Sequence, residues 1–155
     1  MKAVNDLQLV RVVLADLQAG GFEPLLFGGW GEEVLGLADA RPHEDIDVVL
    51  VDPPLAELDD FVAARDEIVD GHLSHKRVYR CRGVKVELFI AQQIGACLET
   101  TFWDRLRWRW PDDMHAVTAD GLPLAPVAAF TSFRNSFGDF MAARDAAMRG
   151  EHSQP

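Results

Sequence analysis

Asp45 and Asp47 stand two residues apart in a run, 45–51, that is β-branched and apolar apart from those two acids. Such a run forms a strand. Alternate side chains of a strand share a face, so the two carboxylates point one way, about 6.6 Å apart, while Ile46 and Val48 point into the core. A later run repeats the pattern, with Val84, Val86, Leu88 and Ile90 on one face and Lys85, Glu87 and Phe89 on the other. If the two strands are neighbours, Glu87 joins the pair, because adjacent strands lie about 4.8 Å apart. Like charges at about 4 Å repel by about 4 kcal/mol at an effective dielectric near about 20, so such a cluster calls for a cation. Mg²⁺ suits it, since that ion takes oxygen ligands and is commonly held by a few carboxylates together with substrate phosphates. The plainer alternative is that Asp45 caps the strand and Glu87 is merely solvated.

Upstream of the acids, Gly28-Gly29 separates a short apolar run, Leu25-Leu26-Phe27, from a helical stretch. Glycine there lets the backbone approach a ligand, and a helix start offers N–H groups to phosphate oxygens. A plain tight turn would use the same residues. Other glycine motifs do not fit: Gly29-Trp30-Gly31-Glu32-Glu33-Val34 lacks the third glycine of a dinucleotide fingerprint, and no lysine follows to make a Walker loop.

The elements that must hold these residues follow from periodicity. Asn5 is placed to cap a helix with the apolar stripe Val10, Val13, Leu14 and Leu17, which Gly20-Gly21 can end. Residues 25–27 read as a buried strand, 30–35 as a short helix and 45–51 as the acid-bearing strand, stopped by Asp52-Pro53-Pro54. Leu55, Leu58, Phe61 and Val62 recur at helical spacing and predict a helix covering the sheet. Arg82-Gly83 predicts a hairpin between 76–81 and 84–90, within a strand-like region from 68 to 91. A mixed segment, 99–113, precedes short strands around Ala116 and Leu122, and 127–148 reads as a C-terminal helix. Together these predict one α/β (α+β) domain over 1–155, a mixed central β-sheet flanked by helices.

The 155 residues are 48% hydrophobic and 26% charged, which is the balance of a globular chain and not of a disordered or fibrous one. A net charge of −10 makes nucleic acid a poor default partner, because that field repels phosphate backbones. It attracts cations, so a polycationic substrate is one reading and a solvated surface the other. Cys81 and Cys97 offer neither a zinc spacing nor a disulfide framework, which fits a reducing cytoplasm and two buried thiols. No run of 18 uncharged apolar residues occurs, so neither a membrane span nor a signal peptide is expected.

Phe102, Trp103, Trp108 and Trp110, interleaved with Arg105, Arg107 and Arg109, are of a type that can stack a base or sugar, though core or interface is the commoner use. His72 and His75 lie three apart without a cysteine nearby and read as surface residues, whereas His43 just precedes the acids. No Gly-x-Ser-x-Gly elbow is present.

Taken in order, Phe27-Gly28-Gly29-Trp30, Leu35-Gly36, Arg41-Pro42-His43-Glu44-Asp45-Ile46-Asp47 and Val86-Glu87-Leu88 resemble a known signature. It is that of the aminoglycoside 2″-adenylyltransferase and lincosamide nucleotidyltransferase group of the polymerase-β-like nucleotidyltransferase superfamily. The resemblance spans about Pro24 to Ile90. It implies that Asp45 and Asp47 bind metal, two Mg²⁺ ions in this superfamily, and that Gly28 and Gly29 hold the triphosphate of ATP or another nucleoside triphosphate. Arg41 or His43 would help with its charge, and Glu87 would be a metal ligand or the base that takes the acceptor's proton. A hydroxyl of a small, aminoglycoside-like acceptor would attack the α-phosphorus and expel pyrophosphate, an activity tied to antibiotic resistance. A protein or tRNA acceptor, as in toxin–antitoxin nucleotidyltransferases, and a non-catalytic nucleotide-binding module are the alternatives. The chain departs from the group in a stretch between Gly36 and Arg41 that is about one residue longer, in Glu33 where the group has Asp, in Leu37 where it has a basic residue, and in Arg134 where it has lysine. With no large C-terminal helical domain, a homodimer would complete the acceptor site.

Overall fold

The computed structural model describes residues 3–114 and 117–150. Helix α1 (Leu7–Ala19) buries Leu9, Val10, Val13, Leu14 and Leu17, the expected stripe. Its cap is Asp6, whose carboxylate accepts the N–H of Leu9, and not Asn5. Asn5, one residue too early to cap, is turned to another use described below.

After α1 come β1 (Pro24–Leu26), α2 (Gly28–Val34), β2 (Asp45–Val51), α3 (Leu55–Ala63) and a two-residue β3 (Asp66–Glu67). The chain continues through β4 (Lys76–Cys81), β5 (Val84–Ile94), β6 (Cys97–Phe102), β7 (Leu106–Arg109), β8 (Val117–Ala119), β9 (Leu122–Leu124), α4 (Val127–Asn135) and α5 (Phe137–Met148). The strand expected around Ala116 begins at Val117, and Ala116 itself lies outside the described residues. The single helix expected over 127–148 is two, meeting at Ser136.

The strands form one mixed sheet in the order β3-β4-β5-β2-β1-β9-β8, with β2 parallel to β5 and antiparallel to β1. Arg82 and Gly83 take φ of 51° and 81°, so the β4–β5 hairpin closes with two left-handed residues, the turn that suits the twist of its strands. Strand β5 is longer than expected: beyond Ala91 it leaves β2 and pairs with β6, which in turn pairs with β7. The segment read as mixed is thus mostly a second hairpin.

Two apolar cores follow from the strand period. Ile46, Val48, Leu50, Val86 and Leu88 pack with α1 and α3 on one face. Val49 and Ala91, on the opposite face of the same strands, join Phe27, Phe102, Trp108, Trp110 and the aromatic residues of α4 and α5. The aromatic stretch is therefore core: Trp108 and Trp110 are buried, while Arg107 and Arg109 point outward to Glu99 and Asp112. Cys81 and Cys97 are only half-buried and free.

Candidate active site

The register of β2 and β5 sets Asp45 opposite Lys85 and Asp47 opposite Glu87. The adjacency on which the third acid depended is thus present. Asp47 and Glu87 share a hydrogen bond, and Glu87 also accepts from Lys76 Nζ at 3.3 Å and pairs with Lys85 Nζ at 3.2 Å. Lys76 reaches it from β4, where Val78 is the residue opposite Glu87.

Electrostatics divides the pair. Burial, then the hydrogen bond and charge of Glu87 and the charge of Asp45, push the Asp47 carboxyl well above the usual range. Burial also opposes ionisation of Glu87, but the hydrogen bond from Asp47 and the ammonium groups of Lys76 and Lys85 outweigh it and hold that group below its ordinary value. Of the two acids, Asp47 is therefore the harder to ionise and Glu87 the easier. Asp47 Oδ1 is buried and has no hydrogen-bond partner. An oxygen of that kind, on an acid opposite a second acid and two residues from a third, fits a hard divalent ion. Among the described residues no group of three or more His, Cys, Asp or Glu side chains stands in ready metal-holding geometry. Glu87 is paired with Lys76 and Lys85 instead.

The glycine pair is explained by what presses on it. Gly28 has φ +59°, and a Cβ there would stand 2.1 Å from Asp47 Oδ2 and 2.7 Å from Asp47 Cβ. A Cβ on Gly29 would stand 2.8 Å from His43 Nδ1 and 3.0 Å from Arg41 Nη2. Gly28, Gly29, Arg41, His43 and Asp47 therefore converge on one spot. The Phe27 N–H donates to the Asp47 carbonyl at 2.9 Å and locks the turn onto β2.

Glu33 and Asn5, which the sequence did not single out as site residues, organise this spot. Glu33 Oε1 accepts the backbone N–H of Arg41 and pairs with His43 Nε2, both at 3.0 Å, and those bonds hold its carboxyl below the usual range. Asn5 Nδ2 donates to the His43 carbonyl at 2.9 Å and the Asp45 carbonyl at 3.3 Å, while its Oδ1 accepts Trp30 Nε1 at 3.0 Å. Trp30 lies against the His43 ring, 4.3 Å between centroids. A polar residue just ahead of a helix ordinarily reads as a cap, so only tertiary structure reveals this use.

His75 is 1% exposed and not a surface residue as expected. Its Nδ1 accepts the Trp103 N–H at 3.1 Å, which leaves the proton on Nε2.

The fold is shared with solved structures. A lincomycin-bound lincosamide antibiotic adenylyltransferase, LnuA, superposes with a TM-score of 0.68 at 12% identity, covering 92% of this chain and 98% of that one. ANT(2″)-Ia, solved with adenylyl-2″-tobramycin, gives 0.57 at 16% identity over 92% and 87% of the two chains. The chain has the nucleotidyltransferase fold. A Thermotoga maritima protein assigned as a nucleotidyltransferase shares that fold too, with a TM-score of 0.62 at 14% identity over 93% of this chain and 92% of its own. No protein-family profile and no curated protein matches the sequence. The nucleotidyltransferase fold is thus carried by backbone path and strand register, with little sequence in common. Among the described residues no helix is long and apolar enough to cross a membrane.

Proposed function

We propose that the chain is a Mg²⁺-dependent nucleotidyltransferase that moves a nucleoside monophosphate, AMP from ATP foremost, to a hydroxyl of a small molecule. The observation that carries this is the register of Asp47 on Glu87 with an orphaned Asp47 oxygen between the acids, on the fold of enzymes that adenylylate lincosamide and tobramycin. Asp45, Asp47 and Glu87 would hold the metal. When bound, Mg²⁺ neutralises the charge that develops on the transferring phosphoryl group and orients the attacking and leaving oxygens.

The remaining contributions come from the chain. Gly28 and Gly29 let Asp47, His43 and Arg41 close in on the turn, so a triphosphate bound there would meet an acid strand and two basic side chains packed against the glycine backbone. Glu33 holds the Arg41 backbone and the His43 ring, and Asn5 holds the His43 carbonyl, so this segment is in place before a triphosphate arrives. Lys76 and Lys85 keep Glu87 ionised, ready to bind metal or accept the hydroxyl proton. A net charge of −10 speaks against tRNA as the acceptor.

Calorimetry of ATP with and without Mg²⁺, followed by transfer of label from α-labelled ATP to a panel of hydroxyl acceptors, tests the proposal. Binding should need the metal, and Asp47→Ala should lower transfer by at least about 100-fold. Tight ATP binding that ignores both Mg²⁺ and Asp47→Ala, with no acceptor labelled, would sink it.

A further inference from the structure

A cavity of about 230 Å³ opens beside Glu87, between β4, β5 and the helices α4 and α5. Phe137, Phe140, Met141 and Arg144 supply one wall at the spacing of a single face of α5, and Phe89, Phe102, Trp103 and Phe133 complete its apolar lining. Phe137 is 55% exposed, so part of its ring faces solvent.

Apart from Glu87, the polar side chains that line this cavity, His75, Lys76 and Arg144, are donors. Four buried side-chain polar atoms among the described residues lack a hydrogen-bond partner, and two of them, His75 Nε2 and Arg144 Nε, belong to residues that line it. Both are donors: Nδ1 of His75 is the acceptor from Trp103, so Nε2 carries the hydrogen, and a guanidinium has no acceptor. Lys76, also on the wall, adds an ammonium. Glu87 is the acid present, and it is already engaged by Lys76, Lys85 and Asp47. Buried donors without acceptors are costly unless a ligand satisfies them, and aromatic walls favour a flat ring. An apolar cavity of about 150 Å³ admits a benzene ring, so this one has room for a ring with substituents.

Building on the nucleotidyltransferase reading, we propose that this cavity is the acceptor subsite and that it takes a small hydroxylated aromatic acid. The ring lies among Phe133, Phe137, Phe140 and Trp103, the carboxylate meets Arg144 and the His75 N–H, and the hydroxyl is turned toward Glu87. The hydroxyl oxygen bonds to the α-phosphorus of ATP as the bond from that phosphorus to the bridging oxygen breaks. Pyrophosphate leaves with the electron pair, and the hydroxyl proton passes to the Glu87 carboxylate and on to water. A polycationic amino sugar, though favoured by the overall charge of the chain, meets donors and a guanidinium here and finds no acceptor that is not already used.

Ligand-observed NMR on the full chain tests the cavity without ATP or metal, using 4-hydroxybenzoate, 3-hydroxybenzoate and 4-hydroxyphenylacetate against tobramycin. At least one acid should bind saturably. Arg144→Gln should weaken it about 10- to 100-fold, the loss of a charge-assisted bond, and Phe137→Ala several-fold. Both side chains are substantially exposed, so the variants keep their fold, which circular dichroism checks. No binding by any of the three acids, or binding that ignores both variants, overturns the proposal. The α-labelled ATP assay then separates the two claims. Label reaching a bound acid supports both. Label reaching tobramycin alone keeps nucleotidyl transfer and removes this subsite, whereas acids that bind without being labelled by ATP and Mg²⁺ remove the acceptor role.

Discussion

Gly28→Ala isolates the contact that joins the glycine turn to the acid strand. Two costs act at this position. The backbone has φ +59°, which an L-residue adopts at a cost of about 1–2 kcal/mol. The new Cβ would also lie 2.1 Å from Asp47 Oδ2 and 2.7 Å from Asp47 Cβ. Rotating the carboxylate relieves only the first of these clashes, because Cβ is fixed to β2, which is paired on both sides with β1 and β5. Overpacking of this kind costs about 1–3 kcal/mol, so the total is about 2–5 kcal/mol. Gly36→Ala is the control, since Gly36 has φ +73° with nothing within 4 Å of its added Cβ and should show the conformational cost alone. Urea denaturation of the two variants measures the difference, which should be about 1–3 kcal/mol in the direction of a less stable Gly28→Ala. ATP affinity in the presence of Mg²⁺ should fall for Gly28→Ala and hold for Gly36→Ala. Equal stabilities would refute the close packing of Gly28 on Asp47, and with it the reason for a glycine there.

Acid should expose His75. Burial lowers its pKa to about 4 from an unfolded value near 6.5, so the folded chain binds fewer protons between those values. The stability associated with neutral His75 is complete above about pH 6.5 and is lost as pH falls toward 4, by about 3 kcal/mol in all. His75→Asn, which keeps an acceptor for the Trp103 N–H, should flatten that part of the stability–pH curve relative to the unaltered chain; parallel curves would contradict the assignment. Asn5→Ala removes three side-chain hydrogen bonds and strands the indole N–H of Trp30, which is 8% exposed. It should cost about 2–4 kcal/mol in urea denaturation and weaken binding of ATP with Mg²⁺, and a variant as stable as the original would remove Asn5 from the frame of the site.

What was legible in the sequence was what depends on period. Asp45 and Asp47 alternate with Ile46 and Val48, and Lys85 and Glu87 with Val84, Val86 and Leu88, so the facing of each strand could be read before its neighbours were known. Gly28-Gly29 was read as room for phosphate, whereas the structure shows that the room is first needed by Asp47, His43 and Arg41. The extent of β5 was hidden because alternation marks a face and carries no information about which strand pairs with it beyond Ala91. The break between α4 and α5 was hidden because neither proline nor a helix-ending glycine marks Ser136. Asn5 and His75 were misread for a common reason: each is a polar residue whose partner, Trp30 or the Trp103 N–H, is more than twenty positions away.

The same two strands connect the acids to the aromatic residues, and this follows from the two-residue repeat. Along β2 the face that carries Asp45 and Asp47 continues to Val49, and along β5 the face of Lys85 and Glu87 continues to Phe89 and Ala91. The first half of that face is charged and the second half is roofed by α4 and α5. Glu87 stands at the seam, paired with Lys76 and Lys85 and bordering the cavity together with Lys76. The proposed metal and acceptor sites therefore draw on different elements: the strands place the acids, while Phe133, Phe137, Phe140 and Arg144 come from the helices. On that proposal, substitution on the exposed edge of α5 would alter the acceptor while β2 and β5 keep their register.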